Sequence, residues 1–185
     1  MARLFIGLTL PDAVAQQIYS LRGGLNGASF RPVEKLHLTL NFLGEVNADQ
    51  TDAIIQELRY LRFPAFYLTA KGVGYFATGD APHHLWVGVD APNTLEELHD
   101  KVQNALRKAG VDKKDRFGFS PHISIARLRG TSMAEVFEFI SHNNLFKSDS
   151  FLVENITLFE SIARENDEGK YYVQRASFPL SLVEI

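Results

Sequence analysis

The chain has 185 residues, of which 45% are hydrophobic and 22% are charged, and it contains no cysteine. This composition is typical of a soluble globular protein, and it excludes disulfides, thiolate metal sites and cysteine nucleophiles. The formal net charge of −3 argues against a broad basic surface for long nucleic acids, so any contact with nucleic acid should be local.

The sequence also bears on where the protein works. No stretch approaches the roughly 18 apolar residues of a membrane span. The N-terminal stretch MARLFIGLTLPDAV is interrupted too early for a signal peptide. Together with the missing cysteines, these features predict a cytoplasmic protein with no membrane contact. We expect a monomer, because no long apolar stripe remains unassigned.

The hydrophobic pattern predicts strands that alternate with helices. In chain order, the predicted elements are a strand over 3–11, a helix capped by Asp12 and ended by Gly23 and Gly24, a strand over 35–44, a helix over 47–63, bent strand segments over 64–78, a loop over 79–84, a strand over 85–92, a helix over 93–110, a strand over 122–128, a helix over 132–144 and strands over 151–161 and 171–180. The alternation of the two element types predicts a mixed fold of helices and sheet.

The order strand, helix, strand occurs twice. The segments RLFIGLTLPDAVAQQIYSLRGGL (3–25) and HLWVGVDAPNTLEELHDKVQNAL (84–106) share a strand, a proline and a helix, and each leads to a strand headed by histidine. Phe5 precedes His37 by 32 residues (37 − 5), and Trp86 precedes His122 by 36 (122 − 86). A duplicated lobe with a pseudo-twofold axis would place the two histidines opposite each other across a central cleft.

The two histidines begin the same pattern, HLTL at His37 and HISI at His122. Side chains alternate along a strand, so each histidine shares a face with a hydroxyl, Thr39 or Ser124. Two imidazoles can act as general acid and general base on a phosphodiester near neutral pH, without a metal, and the hydroxyls can donate to its oxygens. A single strand histidine is more often structural, but a matched pair favours catalysis.

The other histidines have an ordinary interpretation. His83 and His84 are expected in a loop before a strand, and His99 and His142 on helical segments as ordinary polar residues. A metal site at His83 and His84 is not expected, because adjacent side chains diverge and no carboxylate cluster accompanies them.

The motifs HLTLNFLG and PHISIARL, the opening RLFIGLTLP and the closing LFES and YYVQRASFPL resemble the 2H phosphoesterase superfamily, most closely the LigT/ThpR-like RNA 2',3'-cyclic phosphodiesterases. The resemblance spans nearly the whole chain. It implies an α+β, bilobal fold with antiparallel-rich sheets around a central cleft, formed by residues 1–185 as one domain. It also implies metal-independent hydrolysis of RNA 2',3'-cyclic phosphate ends to 2'-phosphomonoesters, with the RNA end or a cyclic nucleotide as substrate and no cofactor.

By the same resemblance, His37 is the proton donor to the leaving 3'-oxygen and His122 is the base that activates water. Thr39 and Ser124 match the hydroxyl positions, where threonine is commoner than the serine found at 124. Serine keeps the hydrogen-bond donor but lacks the methyl group that stiffens the rotamer, so the departure bears on rate more than on reaction type.

Phe42 and Arg127 match positions that hold the nucleotide and the phosphate. Each lies five residues after its histidine (42 − 37 and 127 − 122), an odd offset that strict alternation assigns to the buried face. They reach the site only if each strand bulges, twists or ends after the hydroxyl. The competing interpretations are core packing for Phe42 and a surface ion pair for Arg127.

Two alternatives to the hydrolase stay open. The same site could run in reverse as a 2',5' RNA ligase, or the fold could hold a nucleotide or RNA end without catalysis. Histidines in both motifs favour catalysis, because a binding module needs no acid and base.

Overall fold

The computed structural model describes residues 1–113, 118–163 and 170–181, which form an α+β fold of ten strands and four helices. The strands are β1 (Ala2–Thr9), β2 (Ala28–Phe30), β3 (His37–Val46), β4 (Phe66–Leu68), β5 (Ala70–Thr78), β6 (Ala81–Val89), β7 (Ile123–Leu128), β8 (Phe151–Val153), β9 (Asn155–Ala163) and β10 (Lys170–Pro179). The helices are α1 (Asp12–Tyr19), α2 (Ala48–Arg59), α3 (Pro92–Lys108) and α4 (Met133–Asn143), and a 3₁₀ turn covers Val33–Lys35.

One large sheet carries both lobes. Its strand order is β10–β9–β1–β3–β7–β6–β5, with β2 added beside β7 and all pairs antiparallel. Strands β9, β1 and β3 on one side of the centre correspond to β5, β6 and β7 on the other. We call β10, β9, β1 and β3 lobe one, and β7, β6 and β5 lobe two. This order confirms the predicted bilobal, pseudo-twofold fold.

The two motif strands meet in the middle of the sheet and bulge at equivalent points. Their ladder joins them at a single pair, Leu38 opposite Ile123. In lobe one the register shift leaves Leu40 as an extra residue, and in lobe two it leaves Ile125. Each bulge follows three residues after its histidine (40 − 37 and 125 − 122). A bulge reverses the alternation of side chains beyond it, so residues five positions after the histidine return to the histidine's face.

The helices are positioned by ordinary amphipathic packing. The predicted face of α3, formed by Leu95, Leu98, Val102 and Leu106, is buried, and each side chain contributes about 1.5–3 kcal/mol on burial. Helix α3 contacts α2 and β3, and α4 contacts β5 and β6. None of the helices in the described ranges is both long and apolar enough to cross a membrane.

The helix boundaries differ from the expected ones at several ends. Helix α1 ends at Tyr19, before the predicted glycines, and α2 ends at Arg59 instead of residue 63. The predicted cap at Asp12 is wrong: Asp12 is the first helical residue, Pro11 occupies the cap position, and no side chain caps the helix. The proline ring fixes the backbone dihedral at this position, and the Pro11 carbonyl accepts a hydrogen bond from the Ala15 amide at 2.9 Å.

The predicted loop over 79–84 is also wrong. Strand β6 begins at Ala81, so Pro82, His83 and His84 are in the sheet and only a tight turn separates β5 from β6. Histidine and proline have weak strand preference, but pairing with β5 and β7 supplies the hydrogen bonds that hold this segment extended. The short strand β2 has no counterpart in the prediction, because three residues give too little periodicity. Strands β4 and β8 lie within the predicted strands over 64–78 and 151–161, which the structure divides into β4 and β5 and into β8 and β9.

Gly7 lets β1 approach the first motif strand closely. A β-carbon at this position would lie 2.7 Å from the carbonyl oxygen of Leu38 and 3.7 Å from the Cδ2 atom of His37. The 2.7 Å contact with the Leu38 backbone is too short for a β-carbon, so a side chain here would force the two strands apart. The absence of a side chain at Gly7 therefore helps fix the position of His37.

We expect Gly7→Ala to lower the free energy of unfolding by about 1–3 kcal/mol, because the added methyl group overpacks the junction. Chemical denaturation followed by circular dichroism measures the change. Ser177→Thr, which adds one carbon at an exposed position of β10, is the matched control and should change stability by less than about 0.5 kcal/mol. Equal stability of the two variants would contradict the close approach.

Candidate active site

A cleft of about 940 Å³ lies where the two motif strands meet. All six predicted site residues line it: His37, Thr39, Phe42, His122, Ser124 and Arg127. The two histidines are 85 residues apart in sequence (122 − 37), and the central pairing of β3 with β7 brings them together. The cleft therefore presents two imidazoles and two hydroxyls on one surface.

The two imidazoles are oriented in the same way. The Nδ1 atom of His37 is 2.8 Å from the carbonyl oxygen of Lys35, and that of His122 is 2.7 Å from the carbonyl oxygen of Ser120. In each case the acceptor lies two residues before the histidine, and a carbonyl can only accept, so Nδ1–H donates. This fixes the ring tautomer and leaves Nε2 as the nitrogen that can exchange a proton.

The hydroxyl of Thr39 already contacts the first imidazole. Its Oγ1 atom is 3.1 Å from Nε2 of His37. With the proton of the neutral ring on Nδ1, the hydroxyl donates to Nε2, and it accepts from Nε2 once the ring is protonated. The Thr39 hydroxyl can therefore keep its hydrogen bond to His37 in both protonation states of the ring.

The surroundings of the two rings differ. His37 packs among aromatic rings, with centroid distances of 5.0 Å to Phe5 and 5.0 Å to the edge-on ring of Tyr172. His122 contacts Phe76 edge-on at 4.9 Å and lies closer to solvent. The apolar surroundings of His37 disfavour its charged form more strongly.

Burial lowers the pKa of His37 from 6.5 to about 4, opposed by the Lys35 carbonyl and assisted by the positive charge of Arg31 and by His122. Burial also lowers the pKa of His122, opposed by the Ser120 carbonyl and assisted by Arg31. Both imidazoles are therefore neutral near pH 7 in the empty cleft. A bound anion would raise both pKa values, because it favours the imidazolium form.

The bulges determine which way Phe42 and Arg127 point. Strict alternation assigns both residues to the buried face, whereas the resemblance assigns them to the site. Phe42 is 64% exposed and lines the cleft, so its interpretation as a core residue is wrong. Arg127 is exposed, lines the cleft and forms no ion pair with a carboxylate of the described residues. Each strand buries two consecutive residues at its bulge and then returns its next side chain to the cleft.

The cleft is strongly cationic although the chain is not. Five basic residues line it, and no carboxylate does among the described lining residues. The basic residues are Arg3, Arg31, Lys35, Arg127 and Lys170. A low-dielectric cleft lined by one sign of charge concentrates ligands of the opposite sign, so this surface favours an anion.

Arg31 and Tyr172 are site residues that sequence reasoning missed. The backbone nitrogen of Arg31 donates to the carbonyl oxygen of Ile125 at 2.8 Å, which ties the end of β2 to lobe two. Its Nη1 atom donates to the Tyr172 hydroxyl at 3.0 Å. A basic residue six positions before His37 could have been noticed in the sequence, but its tyrosine partner is 141 residues away (172 − 31).

The four remaining histidines lie on helices α3 and α4 and in strand β6. His99 and His142 are on α3 and α4 as predicted, whereas His83 and His84 lie in β6 with their Nδ1 atoms 2.7 Å apart. Within residues 1–113, 118–163 and 170–181, no group of three histidine, aspartate or glutamate side chains is arranged to hold a metal ion.

A sequence model of the 2'-5' RNA ligase superfamily matches residues 10–165 of the chain. The chain belongs to the 2'-5' RNA ligase superfamily. The RNA 2',3'-cyclic phosphodiesterase of Thermotoga maritima is 34% identical to this chain over 133 residues, which are 69% of this chain and 70% of the relative.

Solved structures agree with this superfamily assignment. A structure described as a phosphoesterase superimposes with a TM-score of 0.78 and 26% identity, covering 97% of this chain and 98% of that chain. Escherichia coli LigT in complex with 3'-AMP superimposes with a TM-score of 0.76 and 27% identity, with the same coverage. The shared fold thus extends over nearly the whole chain.

We expect the imidazole of His37 to titrate near pH 4 without anions, because burial disfavours its charged form. Sulfate, which stays fully charged over this range, should raise the pKa values of His37 and His122 by favouring their charged forms. Two-dimensional NMR of the ring signals checks both shifts, with exposed His142 on α4 as the control for effects outside the cleft. A His37 ring that titrates at 6.5 without anions would contradict the desolvated site.

Proposed function

We propose that the chain hydrolyses the 2',3'-cyclic phosphate at an RNA 3' end to a 2'-phosphomonoester, with His37 and His122 as acid and base. The observation that carries the proposal is the matched pair of imidazoles in one cationic cleft, each held through Nδ1 with Nε2 available. The name of the Thermotoga maritima relative, RNA 2',3'-cyclic phosphodiesterase, supports the same reaction.

The reaction requires one proton to be removed and another to be delivered. His122 accepts a proton from water through Nε2 while the water oxygen attacks phosphorus. His37 donates a proton from Nε2 to the 3'-oxygen as the bond between phosphorus and that oxygen breaks. The product carries a 3'-hydroxyl and a 2'-phosphate, and the two histidines exchange protonation states, which solvent restores.

The acid must be charged before the reaction, although its pKa is about 4 in the empty cleft. The cyclic phosphodiester is an anion, and its binding favours the imidazolium form of His37. Proton uptake is thereby coupled to substrate binding. In the charged ring the Nε2 proton points to the Thr39 hydroxyl until the 3'-oxygen of the bound substrate replaces that hydroxyl as its acceptor.

The remaining cleft residues bind the substrate. Arg31 and Arg127 neutralise phosphate charge, and the Ser124 hydroxyl donates to a non-bridging oxygen as negative charge increases in the transition state. Phe42, whose ring is exposed beside the site, stacks on the terminal base. These roles agree with a cleft that is locally positive in a chain whose formal net charge is −3.

The proposal treats residues 1–185 as one 2H phosphoesterase domain that acts on RNA ends or cyclic nucleotides. The monomeric state and the cytoplasmic location stay predictions from the sequence. The proposed mechanism uses neither a metal ion nor a cofactor.

We expect His37→Ala and His122→Ala each to lower kcat on 2',3'-cyclic AMP by about 10² to 10⁴-fold, because each removes one partner in proton transfer. The wild-type rate should be unchanged by EDTA. His142→Ala, at an exposed position of α4, is the matched control and should retain full activity. Thermal melts verify that each variant is folded, and full activity in either cleft variant would refute the assignment.

The isomer of the product tests the direction of bond cleavage. We expect 2'-AMP from 2',3'-cyclic AMP, identified by chromatography against both isomers, because His37 is assigned to the 3'-oxygen. A 3'-AMP product would reverse the leaving group. Addition of an RNA with a free 5'-hydroxyl tests the ligase alternative, for which a new 2',5' linkage is the positive result. Tight binding without any product would favour the binding module.

A further inference from the structure

The shared bulge positions allow the two lobes to be compared pair by pair. Two positions beyond each bulge, lobe one places Phe5 opposite Phe42, and lobe two places His84 opposite Arg127. Both pairs join the motif strand to the strand beside it. The same position of the duplicated framework is therefore aromatic in one lobe and basic in the other.

His84 lies on the cleft face of its strand. Side chains of residues directly opposite in an antiparallel pair share one face of the sheet. The preceding pair in the ladder, Leu85 with Ala126, is fully buried on the other face, whereas His84 and Arg127 are not buried. Ser29 of β2 lies opposite Arg127 on its other side. Ser29, Arg127 and His84 thus form a polar row across three strands.

A bulge in β6 sets the orientation of the His84 ring. Phe76 pairs with His84 and Ala77 with Pro82, so His83 is the extra residue between them. The bulge brings the two neighbouring imidazoles together, with their Nδ1 atoms 2.7 Å apart. When His83 donates in this contact, the neutral His84 ring carries its proton on Nε2. The ring then offers a hydrogen-bond donor without being charged.

The surroundings of His84 are cationic. Its pKa is lowered first by burial and then by the nearby groups that can carry positive charge, which are His83, Arg127, Arg31 and His122. A bound anion would relieve the mutual repulsion of these groups. A histidine beside an arginine in such a cluster is therefore suited to an anionic ligand.

The position of the row indicates which anion it can bind. Arg127 is three residues beyond Ser124 along β7, roughly 7–10 Å at the rise of a strand, and His84 is one strand further, about 5 Å. A phosphate between the two active-site histidines can reach Arg127 but is too distant for His84. The next negative charge along an RNA chain is the phosphodiester on the 5' side of the terminal nucleoside.

We propose that His84, together with Arg127, forms a second anion subsite that binds this upstream phosphodiester and makes the enzyme prefer RNA ends over mononucleotides. The inference rests on the proposed function for the position of the cyclic phosphate. In it, His84 is a specificity-determining residue and His83 orients its ring. The basic pair of lobe two holds the backbone, whereas the exposed Phe42 ring of lobe one contacts the base.

Equilibrium binding tests the subsite independently of catalysis. The probes are adenosine 2'-phosphate and adenosine 2',5'-bisphosphate, which differ only by a phosphate at the upstream position, measured by isothermal titration calorimetry. For the wild type, we expect the bisphosphate to bind about tenfold more tightly, as for one charge-assisted hydrogen bond. In His84→Ala most of this gain should be lost, while the affinity for adenosine 2'-phosphate changes less than about twofold.

Two further variants separate a specific contact from a structural one. His84→Gln keeps a donor at a similar reach and should recover part of the gain, and His142→Ala should behave as the wild type. An equal loss for both probes in His84→Ala, or no gain from the 5'-phosphate in the wild type, would overturn the subsite. Failure of the proposed function has a different signature, namely no hydrolysis of 2',3'-cyclic AMP with the binding difference intact.

Discussion

The cleft depends on one constraint, the way β3 and β7 pair at the centre of the sheet. Their ladder joins Leu38 to Ile123, and β2 pairs with β7 further along. Because this pair lies at the start of both strands, the two antiparallel strands begin close together, and so do the histidines that head the motifs. The aliphatic residues of the motifs are buried beneath them and hold both strands against the helices. The buried aliphatic side chains anchor the two strands on one face of the sheet, and the opposite face, which carries the imidazoles, stays open as the cleft.

The bulges give the site its second property. Without them, alternation would bury Arg127 and Phe42 in the apolar core, which is costly for a guanidinium. With one bulge after each hydroxyl, the motif strand presents three side chains to the cleft instead of two. Because the bulges are equivalent in the two lobes, the duplicated framework yields a histidine, a hydroxyl and a third residue from each side.

The two lobes share one backbone arrangement but carry different side chains around the cleft, so they have different roles in the site. Lobe one surrounds His37 with aromatic rings, which lower its pKa and leave a stacking surface at Phe42. In lobe two, the corresponding position is Arg127, and His84 lies opposite it on the neighbouring strand. The empty cleft is cationic, and its imidazoles are neutral. A bound anion therefore relieves the repulsion among the basic residues and raises the pKa of His37, so that this imidazole can be protonated and act as the acid. Substrate binding and activation of the acid thus have the same electrostatic cause.

The sequence by itself determined the two motif strands, the four helices, the duplication and four cleft residues, namely His37, Thr39, His122 and Ser124, because short-range periodicity and the identity of chemically active side chains can be read along the chain. It left Phe42 and Arg127 undecided, since a bulge depends on how a strand pairs with its neighbour. The tertiary structure alone added Arg31 with its partner Tyr172, and it moved His83 and His84 from a loop into β6. It also set the pKa values, because desolvation depends on which distant rings pack around an imidazole. Some of those contacts join residues more than a hundred positions apart, such as His37 and Tyr172 (172 − 37), and no local pattern encodes them.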